Sequence, residues 1–243
     1  MAATVSAETR AAANTVPPLA LLRLLHLASP TLPVGAYSYS QGLESAIDAG
    51  IVTSESTALT WISDTLTWSV ARLEAPVFCR LLRAWASADH PTVQHWNDYF
   101  LASRDSAEFR AETVQMGYSL ARLLRDLYPS DNRVESLPPT VLEASTSFPS
   151  AMALACVLLD TPLEASVHAY LFAWAENQVL AALKAVPLGQ VSGQRMLFGL
   201  EQPLLDAAAA AIGLDDDCIS NWTPGLSILS MRHETQHSRI FRS

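Results

Sequence analysis

One kind of charge is almost missing from this chain. Lys184 is its single lysine, and 15 basic residues face 24 acidic ones for a formal charge of −9. An acidic chain gains nothing from releasing phosphate counterions, so nucleic acid is not an expected partner. Cysteine is equally scarce. Cys79, Cys156 and Cys218 lie far apart, form no CxxC pair and are odd in number, which excludes a disulfide framework and points to a reducing, cytoplasmic setting. No basic stretch followed by an apolar one opens the sequence, so no secretory signal is expected. The longest apolar run, Ala151 to Leu159, falls far short of the roughly 20 residues that cross a bilayer, and no membrane partner is expected. GxxxxGK[ST] is absent, so the chain has no phosphate-binding loop and is not itself a nucleotide hydrolase. Runs of alternating apolar and polar residues are also missing, which excludes an extensive sheet.

Helical spacing is present nearly everywhere. Leu59, Ile62, Leu66, Val70 and Leu73 recur at steps of three and four, as do Met116, Leu120, Leu123 and Leu127. Thr161-Pro162-Leu163-Glu164 has the composition of a helix start: an N-cap, Pro at the first position and a capping-box acid. Asp105 and Glu108 suggest another, while Gly50, Gly213 and Pro187 mark helix ends. Apolar residues make up 50% of the chain, too many for a disordered protein. These features predict an all-α, bundle-like single domain of about ten helices over residues 17–213. A disordered arm is expected over 1–16. A tail over 214–243 is expected to order only on a partner, because Met231, Ile240 and Phe241 are too few to fold alone. The excess of apolar residues over charges suggests a surface that other chains cover.

Four segments stand out chemically. His233-Glu234-Thr235-Gln236-His237 matches HExxH, the helical zinc motif with a glutamate base; with only six residues beyond it no downstream third ligand follows, and Arg232 and Arg239 flank it. Lys184 sits among small apolar residues, either as a lowered-pKa nucleophile or as a cation closing a helix C-terminus before Pro187. Ser29 to Glu44 joins two helices with more Tyr, Ser, Pro and Gly than a connector needs. It is either a recognition surface anchored by tyrosines or a loop locked into the core. Glu176, Asn177 and Gln178 interrupt an apolar helix beside Tyr170 and Trp174, and buried amides require hydrogen-bond partners.

Taken together, Ser29-Pro-x-Leu-Pro-Val-Gly-x-Tyr-Ser-x-Ser-Gln-Gly-Leu-Glu44, Trp174-x-Glu-Asn-Gln with Lys184-Ala-Val-Pro-Leu-Gly-Gln190 and Gly193-Gln194, and Ser230-Met-Arg-His-Glu-Thr-Gln-x-Ser-Arg-x-Phe-Arg-Ser243 resemble the UreF family of urease accessory proteins in order and spacing. His237 departs from the pattern, standing where an aromatic residue is expected. The resemblance implies a non-enzymatic helical chaperone without cofactor or bound metal. It implies a homodimer that binds UreD (also called UreH), recruits the GTPase UreG and governs its action, and helps deliver nickel to apo-urease. It carries partner-binding roles onto Pro33, Gly35, Tyr37, Ser38, Ser40, Gln41, Gly42 and Glu44 in the first motif. In the second it carries them onto Glu176, Lys184, Gln190, Gln194 and Arg195, and in the third onto Arg232, His233, Glu234, Arg239 and Phe241. Two other readings follow from the residues alone: a zinc hydrolase built on His233, Glu234 and His237, and a general all-α adaptor.

Overall fold

The computed structural model describes residues 15–135 and 145–243. Among these no strand occurs. The helices are α1 (Pro18–Ala28), α2 (Leu43–Asp48), α3 (Glu55–Thr65), a π-helical segment (Leu66–Glu74), α4 (Ala75–Ala86), α5 (His90–Ala102), α6 (Ala107–Leu127), α7 (Asn132–Glu135), α8 (Phe148–Leu158), α9 (Leu163–Ala185), α10 (Gln190–Gly199), α11 (Glu201–Gly213) and α12 (Pro224–His233). Most of the arm expected over 1–16 lies outside the described residues, as does the stretch 136–144 of the proline-bearing loop.

One apolar core runs through the molecule. α8, which buries Ala151 to Cys156 without a break, packs between α4 and α6. Its small residues let the neighbouring helices approach closely. Phe78 of α4 stacks on Tyr170 of α9 at 4.3 Å between ring centres, and Phe148 of α8 lies 5.9 Å from the same ring. The helical spacing found in the sequence is the buried face: Ile62, Leu66, Val70 and Leu73 are all interior.

Three local details differ from the sequence expectations. Ser106, not Asp105, caps α6 by accepting from the Phe109 amide at 3.1 Å; Asp105 instead accepts from Asn221, ahead of α12, and from Ser227 in its first turn. Pro162 itself occupies the cap position of α9, and the Thr161 hydroxyl bonds the Cys156 carbonyl and Ser166. Leu66–Glu74 winds as a π-helix where the spacing suggested an ordinary one. Pro76 has no N–H to give the Arg72 carbonyl. That carbonyl accepts instead from Ser220 at 3.1 Å, which ties the start of the tail to the core.

The tail itself departs most from expectation. It folds on its own chain: α12 packs on α2 and α6, and Phe241 and Ser243 are buried. Ile219, Leu229 and Phe241 join the core, and polar contacts add to that order. Acceptors far away in the chain also fill the tail's backbone donors at Ser220, Ile240, Phe241 and Arg242.

Gly117 of α6 crosses directly over the backbone entering α8. A Cβ there would lie 2.1 Å from the Thr146 carbonyl oxygen and 2.7 Å from the Ser147 carbonyl carbon. Neither atom can rotate aside, so Gly117→Ala should destabilise the fold by ~2 kcal/mol or more. Denaturant unfolding of the variant checks this.

Candidate functional site: the docked tail and its cradle

Segment 29–44, the polar turn of α9 and the tail, far apart in sequence, converge on one side of the bundle. Glu44, in the first turn of α2, is the hub. Its carboxylate accepts from the Ile240 amide at 2.7 Å, the Phe241 amide at 2.9 Å and His233 Nε2 at 3.0 Å. Glu108, in the first turn of α6, meets His233 Nδ1 at 2.7 Å and accepts from Arg239 at 2.9 Å. His233 is wholly buried, with a carboxylate on each ring nitrogen. Only the doubly protonated ring donates to both, and the acids sit where helix N-termini favour negative charge.

This geometry removes the zinc reading. α12 ends at His233, so His237 is not one helical turn further along the same face, and it is exposed. Glu234 is used elsewhere, accepting from the Ala107 amide at the start of α6 at 2.9 Å. Among the described residues no group of His, Cys, Asp and Glu side chains is arranged to hold a metal ion.

Further along the tail, the Arg242 amide donates to the Ser38 carbonyl at 2.8 Å. Ser40 donates its amide and hydroxyl to the Ser243 carbonyl, at 2.6 and 2.5 Å. The Ser243 hydroxyl reaches Glu112 of α6 at 2.9 Å. Ser29 to Glu44 thus combines both sequence alternatives. Tyr39 and Ser40 are locked inside, while Tyr37 is 62% exposed and Pro33 is also at the surface. Gly35 and Gly42 both take the left-handed conformation. A side chain at Gly42 would also press on Leu226 of α12 at 3.1 Å, so glycine there serves both the turn and the docking of α12.

Gln41 adopts the same left-handed backbone without being glycine, at φ 53°, a strained state that its surroundings must impose. Three side chains impose it. Trp174 donates to Gln41 Oε1 at 2.7 Å and Gln178 at 3.4 Å, while Gln41 Nε2 donates to Glu112 at 2.6 Å. Asn177 donates to the Tyr39 carbonyl at 3.1 Å. The amides expected to need partners find them in segment 39–41. A cavity of about 90 Å³ lies behind this network, with Glu74, Arg104, Glu112, Tyr170 and Glu176 on its walls. Burial raises the Glu176 carboxyl above its ordinary value.

Lys184, in the last turn of α9, donates to the Tyr37 carbonyl at 3.2 Å. Its ammonium lies 5.6 Å from the Tyr37 ring centre and 5.5 Å from that of Phe241. It combines helix-end capping with cation–π contacts, and it touches both the loop and the tail. Gln190, Gln194 and Arg195 do not join this cluster. They stand exposed on α10, where Arg195 makes only a surface ion pair with Glu55 at 3.6 Å. Arg232 is exposed beside His237 in an open groove. Sequence reasoning missed Glu108 and Glu112 as members of the site; Glu108 had been assigned to a helix start, and Glu112 carried no local signal.

Glu44, Glu108 and Glu112 all hold the tail of the same chain, an arrangement of binding contacts. Comparison with known proteins gives the family. The UreF family model matches residues 52–201. The urease accessory protein UreF of Janthinobacterium sp. (strain Marseille) is 54% identical over 226 residues, 92% of this chain and 98% of that protein. The UreF of Azoarcus sp. (strain BH72) is 52% identical over 225 residues, 93% and 96% respectively. A longer relative, the bifunctional urease accessory protein UreEF of Bordetella bronchiseptica, is 46% identical over 231 residues that make up 52% of its length. The chain belongs to the UreF family: it is a urease accessory protein and not an enzyme.

Glu44→Gln halves the acceptor capacity at the hub and removes the charge opposite His233. The loss should be ~3 kcal/mol, typical of breaking a buried charged pair. Amide exchange at Ile240 and Phe241 should accelerate well beyond that of the helical core, which exchange measured by NMR or mass spectrometry checks.

Proposed function

We propose that this chain acts in the cytoplasm as a scaffold for nickel insertion into apo-urease, bridging UreD/UreH and the GTPase UreG and regulating when the GTPase acts. The observation that supports this most is the outer face of the docked tail. With its polar groups turned inward to Glu44, Glu108 and Ser40, the tail segment leaves Trp222 (84% exposed), Ile228, Met231 and Ile240 in solvent, with Arg232 also outward. An apolar strip rimmed by arginine has the composition of a protein-binding surface. We assign it to UreD/UreH. The surface of Tyr37 and Lys184, and separately the α10 face bearing Gln190, Gln194 and Arg195, we assign to the GTPase, whose nucleotide loop this chain lacks.

A second copy of the chain fits a third surface. On α1, Leu19, Leu21, Leu22 and Leu25 are exposed, Leu22 by 65%. The helix carries no acid, and Arg23 is turned to the Leu159 carbonyl at 2.6 Å. On a chain of net charge −9, a neutral leucine face is where two copies meet without repulsion, and an isologous contact matches it to itself. The cytoplasmic assignment is supported by three unpaired cysteines, and by the absence, among the described residues, of a helix long and apolar enough to cross a membrane.

Deleting the tail would also orphan Glu44 and Glu108, so point changes on its outer face give a cleaner test. Ile228→Glu with Met231→Glu should leave helicity and melting temperature near wild type. Retention of UreD/UreH in a pull-down should fall at least tenfold, and urease activation with it; full retention by this variant would refute the assignment. Leu22→Glu should convert the dimer to monomer in light scattering, and a dimer unchanged by it would rule out the α1 face.

A further inference from the structure

We infer that the cavity between segment 29–44, α6, α8 and α9 is a binding site for a small neutral organic molecule, a primary amide with a short apolar body. The site lies inside this chain and does not depend on which proteins cover its outer faces. Its volume of about 90 Å³ gives room for roughly six to nine water-sized groups. Most of the wall is apolar: Leu32 and Val34 come from the loop, Met116 from α6, and Phe148 and Met152 from α8. Water gains little against such walls, because each molecule needs several polar partners. The exposed Pro30 and Tyr37 also line the cavity, which places its mouth at the loop. An apolar pocket on which a few polar groups converge is the usual form of a small-molecule site.

One polar group on the wall is unspent. Arg104, in the turn before α6, has its Nε shielded from solvent and without a hydrogen-bond partner among the described residues. Its guanidinium rests on the Phe100 ring at 4.2 Å and faces Glu74 at 3.6 Å, a separation longer than a hydrogen bond. A buried donor left unmet is costly, so the site calls for an acceptor at Nε. The neighbouring acids decide its kind. Glu74 accepts from the Tyr170 hydroxyl at 2.6 Å. Glu112 accepts one hydrogen bond on each oxygen, from Gln41 and from Ser243. Arg104 is therefore one positive charge beside two acids on the same wall. An anionic ligand would add a third negative charge, and a cationic one would leave Nε unmet. A neutral carbonyl oxygen satisfies Nε with neither penalty. Carboxylate oxygens accept more than one hydrogen bond each, so Glu112 has capacity left for N–H donors on the same ligand. An amide carries the carbonyl and those N–H groups on adjacent atoms. Its alkyl body then lies against Met116, Phe148 and Met152, where removing apolar surface from water supplies affinity.

The test titrates the full chain with three compounds of one shape, isovaleramide, isovalerate and isoamylamine, followed by NMR of the methionine methyl groups. Isovaleramide should give saturable shifts at Met116 and Met152, with the exposed Met231 unmoved. It should bind about tenfold or more tightly than either charged analogue, since only the amide meets Nε without burying an unpaired charge. Ala173→Leu, which fills the cavity from α9, should weaken the amide about tenfold or more while circular dichroism stays helical. Should that variant not fold, Arg104→Lys replaces it: the charge opposite Glu74 is kept, the Nε donor is lost, and the amide should again bind more weakly. Absence of saturable binding by isovaleramide overturns the inference and leaves a hydrated cavity. So does equal or tighter binding of isovalerate or isoamylamine, or amide binding undiminished in the variant that folds.

Discussion

Glu44 carries a charge that the interior tolerates only because three donors reach it, two of them backbone amides of the tail and the third the buried His233 ring. Stripping water from a carboxylate costs several kcal/mol when no donors replace it. Removing the tail therefore does more than shorten the protein: it leaves Glu44 and Glu108 facing each other across an empty seat. The same pairing helps explain why a segment so poor in apolar residues is ordered. The cost of its ordering is offset by charge-assisted hydrogen bonds together with the burial of Ile219, Leu229 and Phe241 in the core.

Much of the fold was legible because it depends on local pattern. Ile62, Leu66, Val70 and Leu73 announce a buried helical face at any register, and Gly50 and Pro187 stop helices for reasons internal to their own backbone. The misjudged starts were also local, but two candidates competed. Asp105 and Ser106 both cap well, and only the position of Asn221 and Ser227 decides that Asp105 is engaged elsewhere. The π-helical turn could not be foreseen from spacing, since apolar steps of four suit either winding. Its cause lies partly in Pro76 and partly in Ser220, more than 140 positions away in the chain.

The site was legible as a set of unexplained residues and illegible as a geometry. Tyr, Ser and Gly crowd segment 29–44 beyond the needs of a connector, and amides in an apolar helix demand partners. Both signals mark segments that the structure brings together. Nothing in sequence order says that Gln41 is the acceptor for Trp174, or that Ser40 holds the Ser243 carbonyl. Glu112 was silent for the same reason: a glutamate on a long helix is ordinarily a solvated residue, and its partners Gln41 and Ser243 come from far away in the chain. The HExxH pattern misleads in the opposite sense, because its spacing implies a helix that in fact ends at its first histidine.

Lys184 gives the arrangement its consequence for the proposed role. Its ammonium lies between the rings of Tyr37 and Phe241, so one cation contacts both the exposed loop and the buried tail. A partner that pulls Phe241 away removes one of the two aromatic faces and leaves Lys184 held by Tyr37 and its carbonyl alone. The loop surface proposed for the GTPase would then differ between the docked and released tail without any movement of the helical core. A differential contact of this kind is what one binding surface needs to influence another. Coupling of the two proposed surfaces would then run through a single side chain, the only lysine the sequence contains.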